Sequence, residues 1–172
     1  RIPVAACHSK AVLALVKIEL TDLEALALSV VDLERKLGYR AAADGVLPPE
    51  FVRSYISSAR GHPEWLGCWA IEDGLIVGSA GFKTAPIDGV VEIGYGVSPD
   101  HEGRGVGTAM AGWMKDFAFS HGATTVRAHT LHEGYASQTI LKKQGFNLVG
   151  PVLEPEDGLV LRWEVSKSEP DA

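Results

Sequence analysis

Val97-Ser98-Pro99-Asp100-His101-Glu102-Gly103-Arg104-Gly105-Val106-Gly107-Thr108 is the most telling run in this chain of 172 residues. Ahead of it, Val90 to Val97 reads as a strand, ended by Ser98-Pro99-Asp100. Behind it, a helix is predicted from about Thr108 to His121, carrying Met110, Trp113, Met114 and Phe117, with Gly122 as its stop. A strand that passes through a glycine-rich turn into a helix N-terminus builds an anion cradle. Free backbone N–H groups and the positive end of the helix dipole converge on one point. Glycines at 103, 105 and 107 tolerate positive φ and let the backbone approach a phosphate closely. Arg104 adds a cation beside it. The run is not a P-loop, because no Gly-Lys-Ser/Thr follows. Nor is it a dinucleotide fingerprint: the third glycine is wrongly spaced, and the strand follows a meander.

Upstream, Ala11 to Leu20 fits a first strand, or a strand running into a helix. Thr21-Asp22-Leu23-Glu24 reads as a helix start, with Thr21 as cap and Glu24 completing a capping box. Leu23, Leu26, Val30, Leu33 and Leu37 follow at helical spacing, and Gly38 stops the helix. A second helix is predicted after Pro48-Pro49, through Phe51, Val52, Tyr55 and Ile56, ending at Arg60-Gly61-His62-Pro63. Trp65 to Ile71 and Leu75 to Lys83 read as strands, and the Asp-Gly pairs at 73–74 and 88–89 suit hairpin turns. Downstream come a strand at Thr124 to Leu131, a helix at Ala136 to Gln144 closed by Gly145, and a hairpin of Leu148 to Val152 with Leu159 to Val165. Three hairpin-linked strands make an antiparallel half. The strand–helix–strand unit from Val90 to Leu131 makes a parallel pair with a right-handed crossover. The sheet is therefore mixed, with helices packed on it.

The composition narrows the class. At roughly 100–200 residues per domain, residues 1–172 form one domain. Apolar residues are 46% and charged residues 22%, which excludes a disordered chain. No run approaches the ~20 apolar residues of a membrane helix, and Arg1 to Lys10 holds no secretory signal. The net charge of −6 argues against a nucleic-acid partner. Cys7 and Cys68 have no CxxC spacing, so no zinc site or disulfide framework is signalled, and a reducing cytoplasm is expected. Residues 1–10 and 166–172 are expected to be loose termini.

The run from Ser98 to Ala109 resembles the acetyl-CoA motif of the GNAT superfamily of N-acetyltransferases. Ala136-Ser137-Gln138-Thr139-Ile140-Leu141-Lys142-Lys143-Gln144-Gly145-Phe146 resembles the same family's helix ending in Leu-x-Lys-x-Gly-Phe. One helix and one strand separate the two blocks, as in the family. The resemblance covers Ala11 to Val165 as architecture and Val90 to Phe146 as motif. It implies an α+β fold: a mixed, mostly antiparallel sheet of about six to seven strands with helices on both faces. It implies acetyl-CoA as co-substrate and transfer of the acetyl group to a primary amine of a small molecule, an antibiotic or a protein N-terminus. Val97, Glu102, Gly103, Arg104, Gly105, Val106, Gly107 and Thr108 are the residues it assigns to the cofactor. Two positions depart from the pattern. Glu102 stands where the family has Gln or Arg, and Gly134 where many relatives have Asn. The pyrophosphate contacts are largely backbone, so binding is expected to survive. Many relatives carry a Tyr where this chain has Leu141. Its absence, with Ser137 present, points to the branch that acetylates N-terminal amines of ribosomal proteins. Dimers are common in the family, so a homodimer is one expected form, and no segment declares an interface.

An amine must be neutral to attack a thioester, so a base or a water chain must take its proton. Strand alternation puts Glu92, Gly94 and Gly96 on one face and Ile93, Tyr95 and Val97 on the other. Two glycines beside one carboxylate leave room for a substrate. Glu92 is the first candidate for general base, directly or through water; the alternative is a salt-bridged strand carboxylate. Ser137 is the candidate donor to the leaving thiolate, or else a plain first-turn serine. Glu156, between the last two strands, is a candidate to reach the amine in that branch, or else a solvated turn carboxylate. His129 is a base, a substrate contact or a structural histidine. Tyr39, Arg40 and Tyr55 are candidates for the acceptor pocket, while Lys142 and Lys143 read as a solvated helix face. Trp65, Trp69, Trp113 and Trp163 read as core. The alternative function is a non-catalytic acyl-CoA sensor on the same fold. A nucleotide-binding enzyme suffers from the missing P-loop lysine.

Overall fold

The computed structural model describes residues 11–169. The elements run β1 (Leu13–Lys17), α1 (Leu20–Leu28), α2 (Val30–Leu37), β2 (Arg40–Ala41), α3 (Pro49–Gly61), β3 (Gly67–Glu72), β4 (Leu75–Phe82) and β5 (Val90–Val97). A 3-10 turn (Pro99–His101) leads to α4 (Val106–Ser120), β6 (Thr125–Thr130), α5 (Tyr135–Lys143), β7 (Asn147–Glu154) and β8 (Gly158–Ser166). Residues 1–10, with Cys7, and 170–172 lie outside the described residues.

The leucine-spaced segment expected as one helix is two. Ser29 is extended, at φ −166° and ψ 162°, and its side chain accepts from the Asp32 N–H at 3.1 Å, capping α2. The first cap also moves. Glu19, not Thr21, is the N-cap, and its N–H donates to the Asp22 carboxylate at 2.9 Å. Asp22 is buried because three more groups need it: the Lys36 ammonium at 2.6 Å, the Trp69 indole N–H at 3.2 Å, and the helix dipole it sits against. The strand β2 has no periodic signal and forms only because Leu75 and Ile76 precede the residues of β4 that pair with β5. At the other end Ser166 closes β8, and Lys167 N–H donates to the Thr124 carbonyl, so order extends past the expected loose tail.

The sheet order is β1-β3-β4-β5-β6-β8-β7, with β2 beside β4. All neighbours on that path are antiparallel except β5 and β6, which are parallel and joined through α4. The sheet is thus mixed and mostly antiparallel, with helices on both faces. On one face α4 and α5 bury Met110, Met114, Ala118 and Leu141 against Cys68, Ala70 and Ile93. On the other, α1 to α3 bury Leu23, Leu26, Leu33 and Val52 against Trp69, Ile71 and Ile76. Each fully buried leucine or valine is worth about 1.5–3 kcal/mol, so both layers hold the sheet between them. Trp65, Trp69 and Trp163 are buried and Trp113 is partly buried, in keeping with a core role.

One irregularity positions the site. β5 pairs with β6 only from Val90 to Ile93, opposite Thr125 to Ala128. Its second half pairs with β4 alone, from Ile93 opposite Phe82 to Val97 opposite Gly78. Beyond Ile93 the two parallel strands part, and a wedge opens between them.

Candidate active site

Gly103 and Gly105 are held at φ +72° and +84°, the left-handed region that a β-carbon disfavours. They bend the chain from the 3-10 turn into α4. A β-carbon built on either would meet nothing within 4 Å, so the turn faces open space. Gly105 is the N-cap of α4, and no side chain caps this helix or places an acid in its first turn. The first-turn N–H groups, from Val106, Gly107 and Thr108, are therefore free to meet an anion. Gly107 has a different reason to be glycine. It is helical, and a β-carbon there would lie 2.7 Å from Ile140 Cδ1, so it lets α4 pack on α5. Arg104 is turned to a protein partner. Its guanidinium donates to the Glu72 carboxylate at 3.1 Å and to the Asp100 carbonyl at 3.4 Å. Glu102 is exposed.

Across the sheet, on the face of α1 and α3, lies a cavity of about 720 Å³. Gly94, Tyr95 and Gly96 of β5 and Gly81 of β4 line it, the two β5 glycines on the face that alternation gives them. Leu47, Phe51, Tyr55 and Leu66 supply apolar wall. Its charged lining is Asp44, Glu156, Asp157 and Lys83. Tyr55 is fixed by donating to the Phe82 carbonyl at 2.8 Å. Tyr39 and Arg40 do not line this cavity; Arg40 pairs with Glu34 instead.

Glu92 sits at the centre of a charged cluster. Its carboxylate accepts from Lys83 Nζ at 2.6 Å and from His129 Nδ1 at 2.8 Å. Arg162 Nε donates to His129 Nε2 at 3.2 Å, which places the ring proton on Nδ1, facing Glu92. Arg162 also donates to Glu154 at 3.1 Å. Burial pushes the Glu92 carboxyl up, but the hydrogen bonds from Lys83 and His129 and the charge of Lys83 outweigh it and hold it below its ordinary value. Burial lowers the Lys83 ammonium, and Glu92 together with Asp157 and Glu154 raises it above its ordinary value on balance. Lys83 lines the cavity, whereas Glu92 meets it through Lys83.

The family model described as the acetyltransferase (GNAT) domain matches residues 13–147. The chain belongs to the GNAT acetyltransferases. Ribosomal-protein-S5-alanine acetyltransferase from Vibrio fischeri has the same fold, with TM-score 0.66 at 12% identity over 92% of this chain and 97% of that one. For yncA from Salmonella typhimurium, solved with its cofactor acetyl-CoA, the TM-score is 0.65 at 17% identity over 93% and 96%. For RimJ from Mycobacterium smegmatis, in complex with CoA-disulfide, it is 0.63 at 19% identity over 90% and 81%. No curated protein matches the sequence. Acetyl-CoA is the co-substrate of GNAT acetyltransferases, and the uncapped, open cradle of this member fits its pyrophosphate.

The second block that resembles the GNAT pattern lies on α5. Gly134 is its N-cap and offers no side chain at the position where many relatives have Asn. Ser137 lies in the first turn, and its hydroxyl is 2.8 Å from the phenol of Tyr95 on β5. Tyr95 was read only as a residue on the far face of its strand; nothing in the local pattern marks a contact 42 residues away. Leu141 is fully buried, and Lys142 lies over the Trp163 ring at 5.7 Å. His129 is held between Glu92 and Arg162 and does not line the cavity. Among the described residues no three potential ligands group to hold a metal ion, and no helix is long and apolar enough to cross a membrane.

Proposed function

We propose that this acetyltransferase moves an acetyl group from acetyl-CoA to a primary amine seated over Gly94 and Gly96. One observation carries the reading: the anion cradle, the wedge and the cavity all meet at the second half of β5. Phosphate on the α4 side, a passage between β5 and β6, and a cavity on the far face suit a long thioester and a separate acceptor. The first-turn N–H groups from Val106 to Thr108 and the turn from Glu102 to Gly105 hold the phosphates, with Val97 at the thioester end. Arg104 steadies the turn through Glu72 and meets a phosphate only by leaving it.

Three acids against one lysine favour a cationic acceptor, and the apolar wall favours one whose amine is borne on an apolar body. That fits a small hydrophobic amine or a chain N-terminus with an apolar side chain. Glu92 has a role other than free base in this scheme. Taking up a proton would cost it two charge-assisted hydrogen bonds. It masks the Lys83 charge, which would otherwise repel an ammonium in the cavity. Glu156 lines the cavity and is the carboxylate that takes the amine proton, through water. Ser137 donates to the leaving thiolate.

The test is amine-dependent thiol release from acetyl-CoA over a panel of arylalkylamines, N-terminal peptides, polyamines and aminoglycosides. Turnover best with apolar amines supports the reading. Acetyl-CoA binding without turnover on any amine would make the protein a sensor. Glu156→Gln should lower kcat with the acetyl-CoA KM little changed. Glu92→Gln should chiefly raise the amine KM; if it instead lowers kcat as Glu156→Gln is expected to, Glu92 is the base.

A further inference from the structure

We propose that Tyr95 sets the Ser137 hydroxyl for donation to the departing thiolate, acting across the wedge between β5 and β6. The inference rests on the acetyl-transfer reading above. Tyr95 belongs to the half of β5 that has parted from β6. Its ring packs against the α4-side core, and its phenol spans to α5, the helix that follows β6. There it meets Ser137 Oγ at 2.8 Å, with the Ser137 carbonyl oxygen at 3.4 Å. The shorter contact is the main bond.

Either hydroxyl can donate across this contact, and the proposed arrangement is the one in which the phenol, the stronger acid, donates and Ser137 Oγ accepts. Burial also pushes the Tyr95 phenol up, with the Ser137 hydrogen bond pulling the other way, so the phenol keeps its proton at neutral pH. The Ser137 O–H is then left without this partner and turns away from the ring. It does so in the first turn of α5, where free N–H groups already favour negative charge.

The step balances without a proton leaving either hydroxyl. The amine nitrogen forms a bond to the thioester carbonyl carbon, the C–S bond breaks, and its electron pair leaves on sulfur. The extra amine proton passes through water to a carboxylate. The thiolate accepts the Ser137 O–H hydrogen bond and is protonated by solvent on release. An ordinary thiol titrates at about 8.5 and a phenol at about 10, so full proton transfer from Tyr95 to sulfur is uphill. What the pair supplies is a donor oriented before sulfur becomes charged. Tyr95 is thus a positioning residue, acting through Ser137.

The experiment titrates the thiol of bound CoA, by thiolate absorbance, in the wild-type protein, Tyr95→Phe, Ser137→Ala and the double variant. Steady-state acetyl transfer is measured on the same four. Tyr95→Phe keeps the ring in the core. The wild-type complex should hold the thiol below its value in free CoA. Each single variant should raise it again by about one unit, the double variant no further than Ser137→Ala alone. Tyr95→Phe should lower kcat about tenfold with the acetyl-CoA KM within about twofold. A bound thiol that titrates alike in wild type and Tyr95→Phe overturns the proposal, as do effects that add in full in the double variant. A purely structural tyrosine would lower the melting temperature and raise KM without moving the thiol. Failure of the acetyl-transfer reading looks different: the thiol pattern stands while no amine yields turnover. Failure of CoA to bind overturns both.

Discussion

The turn from Ser98 to Gly105 and the charged cluster around Glu92 lie toward opposite ends of β5, and they are made of different material. The turn is built from backbone: two glycines at positive φ and a helix start with no capping side chain. Its chemistry is complete within a dozen consecutive residues. The cluster is built from side chains: Lys83 beyond β4, Glu92 on β5, His129 on β6, Glu154 on β7 and Arg162 on β8. It exists only once strands distant in sequence are paired. A backbone site tolerates side-chain exchange and fails when the backbone is refused its conformation. A side-chain cluster fails when one member is removed, because buried partners are left unpaired.

The hardest blow to the cluster is His129→Ala. The His129 side chain is 6% exposed, and its loss strips a partner from both Glu92 and Arg162. It should cost about 2–4 kcal/mol in urea unfolding. A cost under about 1 kcal/mol would mean that water already serves these groups. The matching blow to the turn is Gly105→Val. A β-branched residue at φ +84° pays about 1–2 kcal/mol, so calorimetry should show acetyl-CoA affinity falling about tenfold or more. Unchanged affinity would show that the cradle does not depend on this conformation.

Acidity sharpens the contrast. The Glu92 carboxyl is held below its ordinary 4.5, so the stability it contributes is present above that pH and is lost as pH falls through the lower folded value. The Lys83 ammonium is raised above its ordinary 10.5, so its share is present below that pH and is lost as pH rises through the higher folded value. Glu92→Gln should therefore flatten the acid side of a stability–pH curve, and a curve as steep as the wild type's would remove Glu92 from that role. The smallest effect belongs to Arg104→Ala. Its ion pair with Glu72 is half-exposed on the arginine side, so stability should change by less than about 1 kcal/mol. Acetyl-CoA affinity should fall less than about threefold if the phosphates are held by backbone. A much larger loss would make Arg104 a direct phosphate ligand.

How far the site can be read along the chain follows the same division. Val90 to Val97 emerged with the bounds expected of it, and the helices around Met110 and Leu141 within two residues. Gly103 and Gly105 have the positive φ that their residue type announces. Gly107 looked like their equal, yet its reason is Ile140 on another helix. The long leucine repeat hid the break at Ser29, because both helices turn the same apolar face to one core. Glu92 was found by alternation, but its partners Lys83 and His129 were not.

By itself the sequence determined the order of strands and helices from β3 onward, the strand–turn–helix cradle and the family, since glycine placement and hydrophobic period act within a few residues of one another. Only the tertiary structure decided that β5 parts from β6 after Ile93, that Lys83 and His129 occupy Glu92, and that Tyr95 reaches Ser137. Those are distances between segments far apart in the chain, set by register and packing rather than by local residue type.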